Sequence, residues 1–266
     1  RAYQAFIETV DPVIKSQADR LDRKMIERVD ALPFERPRYA VYFRAMRSDI
    51  EIFREVNIPL QTEESLLSQQ YQTVTGAMTV QFRGAEYPLP KMRTFFEDPD
   101  RGIREESWRA TAQRYRQDED TLDEIFDTMV GLRDTIARNS DFATYRDYKF
   151  RDYHRFDYTP QDCFAFHEAV EGHLVPLLGR MHQRRCEDLG LNCLRPWDML
   201  CDPRGREPLV PAADLDAFAG KLSTVFERVD PQLGEQFRGM LEAGLLDLES
   251  RKGKAPGGYQ ATLYES

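Results

Sequence analysis

The sequence predicts a mainly α-helical protein with a small β-hairpin near 77–89 and the start of a strand at the C-terminus. Three observations carry that reading. Apolar residues recur three and four positions apart through most of the 266 residues. Alternation with a period of two is confined to one stretch, where Met78, Val80 and Phe82 flank Thr79 and Gln81. Helix-start residues such as Asp11-Pro12 and Thr159-Pro160-Gln161-Asp162 stand ahead of the periodic runs.

Taken in order, residues 13–31 carry Ile14, Ala18, Leu21, Met25 and Val29 on one helical face. Residues 39–56 repeat the pattern through Phe43, Met46, Ile50 and Phe53. Ile58-Pro59 reads as the end of that helix, with another short helix over 63–72. In the hairpin, Arg83-Gly84 is the turn, and Pro88 restricts the second strand to an edge. The hairpin either narrows access to a cleft or is a structural excursion between helices. Asp98-Pro99-Asp100 opens what reads as the longest helix, about 103–138, with Trp108, Ala112, Tyr115, Leu122, Phe126, Met129 and Ile136 as its apolar stripe. Thr159 caps the next helix, Pro160 occupies its first position, and Asp162 favours its positive end. Pro176 is expected to kink it. Residues 195–213, with four prolines, read as an irregular connection, and helices resume near 212–229 and 231–243. Residues 1–155 are expected to form a helical N-terminal lobe and 156–266 a second region.

Composition narrows the function. A hydrophobic share of 41% and an aromatic share of 11% suffice for a buried core. Lys plus Arg is 37 against 46 for Asp plus Glu, a net charge of −9. An acidic chain without a long basic run argues against nucleic acid. No apolar run approaches the roughly 20 residues that cross a bilayer, so a membrane is not an expected partner. The four cysteines, Cys163, Cys186, Cys193 and Cys201, form no Cys-x-x-Cys pair, and so few in a chain of this length suggest a reducing, cytoplasmic setting. The chain opens on Arg1 with no Met before Met25 and stops at Ser266 inside the expected strand Gln260–Tyr264, so both ends read as cuts.

No catalytic constellation emerges from the residues. His167-Glu168-Ala169-Val170-Glu171-Gly172-His173 looks like a zinc motif, but zincins need histidines four apart, on one helical face. Six residues turn a helix by roughly 600°, which leaves these two histidines about 120° apart. The acidic run Asp118, Glu119, Asp120, Asp123, Glu124 and Asp127 lacks the Glu-x-x-His pairs of a bundle metal site and reads as a solvated face. Neither Gly-x-Ser-x-Gly nor a phosphate-binding glycine loop occurs. No residue is assigned a catalytic role, and none a metal.

A series of stretches, collinear along nearly the whole chain, resembles the oligoendopeptidase F branch of the thimet-oligopeptidase-like metallopeptidases. They include Thr75-Gly76-Ala77-Met78-Thr79-Val80, Asp98-Pro99-Asp100-Arg101 with Trp108-Arg109-Ala110, and Tyr145-Arg146-Asp147-Tyr148. Arg155-Phe156-Asp157-Tyr158-Thr159-Pro160, Leu194-Arg195-Pro196-Trp197-Asp198 and Arg251-Lys252-Gly253-Lys254-Ala255-Pro256-Gly257-Gly258-Tyr259 complete the series.

The resemblance implies a mostly helical peptidase, of which 156–266 would be the incomplete front of the peptidase domain. It implies short peptides as substrates and zinc as cofactor of the full-length parent, held by a His-Glu-x-x-His helix and a later Glu. Those ligands fall after Ser266, so this chain alone is expected to be inactive and to bind no cofactor. Its partner would be the missing C-terminal catalytic segment. The alternative is a non-catalytic helical binding or scaffold module derived from such a peptidase. Gly257, Gly258 and Tyr259 match the family loop and are the candidate substrate-binding residues. They sit in a stretch, 252–259, that reads as rigid and positively charged. Paired glycines allow close backbone approach, and the strand after them offers an edge to an extended peptide.

Overall fold

The computed structural model describes residues 2–31 and 37–260. Among the described residues the protein is mainly α-helical with one small antiparallel hairpin. In order, the helices are α1 (Ala2–Thr9), α2 (Asp11–Ala31), α3 (Ala40–Ile52) and α4 (Ile58–Ala77), followed by strands β1 (Thr79–Phe82) and β2 (Ala85–Pro88). Then come α5 (Leu89–Met92), α6 (Arg101–Arg116), α7 (Glu119–Asn139), α8 (Tyr145–Asp152) and α9 (Pro160–Ala169). The last are α10 (Val175–Asp188), α11 (Leu215–Val229) and α12 (Pro231–Glu242). The strand expected over 260–264 lies, apart from Gln260, outside the described residues.

Two parts of the periodicity reading change, and a third helix meets its expected proline with a local widening. Ile58-Pro59 starts α4 instead of closing the helix before it, because proline is tolerated in a first turn, where its missing N–H has no partner to lose. The single helix expected over 103–138 is two, α6 and α7, broken at Gln117-Asp118. No Gly or Pro marks the break. The signal is charge: Arg114 and Arg116 close α6, and Glu119 and Asp120 open α7, each sign matched to its end of the helix dipole. The helix over 160–188 meets Pro176 with a π turn, Val170–Leu174, just before it. The Val175 N–H donates to the Val170 carbonyl, five residues back. Such a widened turn is a common way for a helix to absorb a residue that cannot follow the regular ladder.

The chain divides into two compact units, Arg1–Val74 with Asp118–Gly179, and Thr75–Gln117 with Arg180–Ser266. In the first, Ile52, Ile136, Ala137 and Tyr148 form a buried cluster, with Leu60, Phe142 and Tyr145 against it. Asn57 is buried beside them, and its polar atoms are all used. Its amide donates to the Ile136 carbonyl (3.1 Å) and to Ser140 Oγ (3.0 Å). Its Oδ1 accepts from Asn139 (2.8 Å). Ser140 Oγ donates to the Ile52 carbonyl at 2.9 Å, which ties the end of α3 to the end of α7. A buried amide satisfied on every side fixes register where apolar contacts alone would allow sliding.

In the second unit the hairpin presents Met78, Val80 and Phe82 inward, and all three are buried with Leu89 and Met92. The register pairs Thr79 with Pro88, Val80 with Tyr87, Gln81 with Glu86 and Phe82 with Ala85. Phe95 closes the sheet, with ring centroids 4.9 Å from Phe82 and 5.2 Å from Tyr87. The alternation read from sequence is therefore the core face of the hairpin. Asp230 ends α11 and caps α12 by accepting from the Gln232 N–H (2.7 Å). Gly234 lets the two helices approach: a Cβ there would lie 2.8 Å from Glu227 Cα.

Candidate functional site: the glycine-rich segment and its anchors

The segment that carries Gly257, Gly258 and Tyr259 leaves α12 as an irregular strand of chain and folds back on the base of the hairpin. The contact begins at Gly76, one residue before the end of α4. The Gly253 N–H donates to the Gly76 carbonyl at 2.7 Å. The approach is close enough that a Cβ on Gly76 would stand 2.9 Å from the Lys254 carbonyl oxygen. On the hairpin, Thr79 Oγ1 donates to Glu86 Oε1 (2.6 Å), and the same oxygen receives Lys252 Nζ (2.8 Å). Between loop and hairpin lies a cavity of about 130 Å³, lined by Gly76, Met78, Pro88 and Pro90 on one side and by Lys254 and Gly257 on the other.

Each cation of this segment has a carboxylate or carbonyl partner. Arg251 makes two bonds to the Asp247 carboxylate (2.6 and 2.9 Å). Lys254 Nζ donates to the Asp247 and Glu249 carbonyls (2.6 and 2.9 Å). Arg251, with Lys254 behind it, holds the Asp247 carboxyl down at about 2. Lys252, then Thr79, likewise lowers the Glu86 carboxyl.

The three predicted residues occupy different settings. Gly257 has φ +96°, a conformation side chains avoid, and it borders the cavity. Gly258 has no heavy atom within 4 Å of a Cβ position, so the fold itself does not require glycine there. Tyr259 is 96% exposed. Gly76 is the residue that sequence reasoning quoted without giving it a role. With the helix before it read as 63–72, no local feature marks this contact.

Two of the quoted motifs meet elsewhere in the same unit. Asp198, fully buried, receives Arg101 through two bonds of 2.9 Å, Arg104 at 3.3 Å and the Arg195 N–H at 2.9 Å. Burial pushes its carboxyl up, but the Arg101 bonds and the Arg195 N–H outweigh this, and the group ends below its ordinary value. Trp108 and Trp197 pack with centroids 5.6 Å apart, and Arg109 lies 4.9 Å over the Trp197 ring. A larger cavity, about 470 Å³, opens beside this cluster and is lined by His182, Cys186, Cys193, Arg195, Pro196 and Met199.

His167 lies on α9 and His173 in the π turn, and both are exposed. His154 Nε2 is bonded to Asp49 (2.7 Å). Among the described residues no three His, Cys, Asp or Glu side chains come together as a metal-holding group. All four cysteines are free thiols, and no described helix is long and apolar enough to cross a membrane.

Residues 94–266 match Peptidase family M3, and the chain belongs to that family. Solved structures agree over almost the whole chain. A protein from Bacillus anthracis strain Ames assigned as an oligoendopeptidase F superposes with TM-score 0.87 at 24% identity, covering 96% of this chain and 47% of its own. Another protein assigned as an oligoendopeptidase F gives 0.85 at 26% identity, with 96% and 45% covered. PZ peptidase A, solved with an inhibitor, gives 0.87 at 26% identity with the same coverages. This chain thus spans about half the length of the structures it matches. Comparison with curated proteins finds no match.

Proposed function

We propose that this chain is the N-terminal and middle portion of a zinc-dependent oligopeptidase that hydrolyses peptide bonds in short peptides. On its own it is inactive. The observation that carries the reading is the family match over residues 94–266, joined to a shared fold over 96% of the chain. Zinc would belong to the full-length parent and be held by residues outside the 266 of this chain. The chemistry such an ion would supply is Lewis-acid polarisation.

What this chain's own residues contribute is shape. The segment around Gly257, Gly258 and Tyr259 would present backbone to an extended peptide, whose main chain would add to it as to a sheet edge. The remaining half of the peptidase is the partner, and the exposed apolar face of α9 and α10 supports the need for one: Phe166, Leu178 and Met181 are all exposed. The free thiols fit a cytoplasmic setting.

Zinc content and hydrolysis of a quenched short peptide, both measured on the natural full-length product, test the reading. One equivalent of zinc with peptide turnover is expected. A folded product with neither would leave a binding or scaffold role instead. The substrate role of the glycine segment has its own test in Gly258→Val, since nothing crowds that position. Peptide affinity is expected to fall in a variant of unchanged melting temperature. Unchanged affinity and turnover would remove the segment from the substrate site.

A further inference from the structure

We propose that Gly76 and Glu86 are positioning residues: the base of the hairpin fixes the conformation of the 251–259 segment and, through it, the handling of peptide. The inference rests on the substrate role proposed for Gly257–Tyr259. Three contacts carry it, two at Gly76 and one at Glu86. The Gly76 carbonyl accepts the Gly253 N–H at 2.7 Å. The absent side chain of Gly76 is what admits the Lys254 carbonyl, which would stand 2.9 Å from a Cβ. That neighbour is backbone and cannot rotate away. Glu86, itself held by Thr79, takes Lys252 at 2.8 Å.

The anchors bracket Gly253, whose φ of +82° turns the chain, and Gly257 follows four residues later with φ +96°. Two such turns pinned at their start leave the direction of Gly257–Tyr259 determined by where Gly253 and Lys254 sit. Alanine at position 76 isolates this effect, because alanine favours a helix over glycine. A role confined to α4 predicts a more stable helix. A positioning role predicts a displaced loop.

The experiment measures hydrogen exchange of the whole chain as wild type, Gly76→Ala, Glu86→Lys, and Glu86→Lys combined with Lys252→Glu. In Gly76→Ala the Gly253 amide is expected to exchange about tenfold faster, as for loss of one ordinary hydrogen bond, with α7 unchanged. Glu86→Lys is expected to loosen the same residues, and the double charge swap to restore them. Unchanged exchange across 251–257 in both single variants would overturn the proposal. In the natural full-length product, Gly76→Ala is expected to raise KM for a short peptide more than it lowers kcat. Faster exchange with both constants unchanged would also overturn it, as an anchor without consequence for substrate. If wild-type product shows no peptide turnover at all, the peptidase reading fails instead, and the exchange result still decides whether the anchors hold the segment.

Discussion

Helices α7 and α10 have the same kind of sequence, an apolar stripe at three- and four-residue spacing, and opposite fates. On α7, Ile125, Met129, Ile136 and Ala137 are buried, and Ile136 is 1% exposed. On α10 no residue is buried: Leu178 is 48% exposed and Met181 59%. Helix α9 before it is the same, with Phe166 at 67%. Periodicity states that a helix needs a partner and is silent on whether the chain contains it. For α7 the partners are α3 and α8, present in the same unit. For α9 and α10 the described residues cover no comparable share of the face, which fits a chain spanning about half the length of its structural relatives.

Several measurements would break or sharpen that contrast. The largest effect is expected where a charge is buried with its partners in place. Asp198→Ala leaves Arg104, itself buried, without its carboxylate and should cost about 3–5 kcal/mol in urea unfolding. A loss under about 1 kcal/mol would mean that the carbonyls around Arg104 suffice and the network is not a fixed point of the second unit. Next comes the direct pair. Ile136→Ala should destabilise by about 2–5 kcal/mol, whereas Leu178→Ala should stay within about 0.5 kcal/mol. Equal losses would show that α10 is covered in solution and would dissolve the contrast.

The smallest effect concerns the segment 246–257, where ion pairs and hydrogen bonds, the Gly253–Gly76 bond among them, stand in place of apolar burial. The Asp247 carboxyl is held by Arg251 at about 2, below its ordinary 3.8. A carboxyl lowered in the folded chain contributes stability that is present above its ordinary value and lost as pH falls through the lowered one. Exchange at 251–257 should therefore accelerate between about pH 4 and pH 2, with α7 following only at global unfolding. Simultaneous loosening of both would mean that the segment has no local stability of its own.

The sequence made much of the helical architecture legible, because capping residues and periodicity are local. Thr159 and Asp162 form the reciprocal cap that their spacing implies. Met78, Val80 and Phe82 are the buried hairpin face that alternation implies. The break at Gln117-Asp118 was obscured by an apolar stripe that continues across it, and only the reversal of charge marks it. Within α7 the stripe holds at Met129 and Ile136, which are buried, but Phe126 is exposed and its neighbour Ile125 is buried in its place. Of the glycine segment, the sequence supplied Gly257, Gly258 and Tyr259 through resemblance alone. It could not supply the anchors, because Gly76 and Gly253 lie 177 positions apart, and their hydrogen bond exists only once the chain has folded.

The central claim, that this chain is part of a zinc-dependent oligopeptidase, is tested most directly by reading the encoding DNA past the Ser266 codon. The account predicts an open frame that reaches His-Glu-x-x-His with a further Glu beyond it. A stop codon directly after Ser266 would contradict it and leave a non-catalytic member of Peptidase family M3.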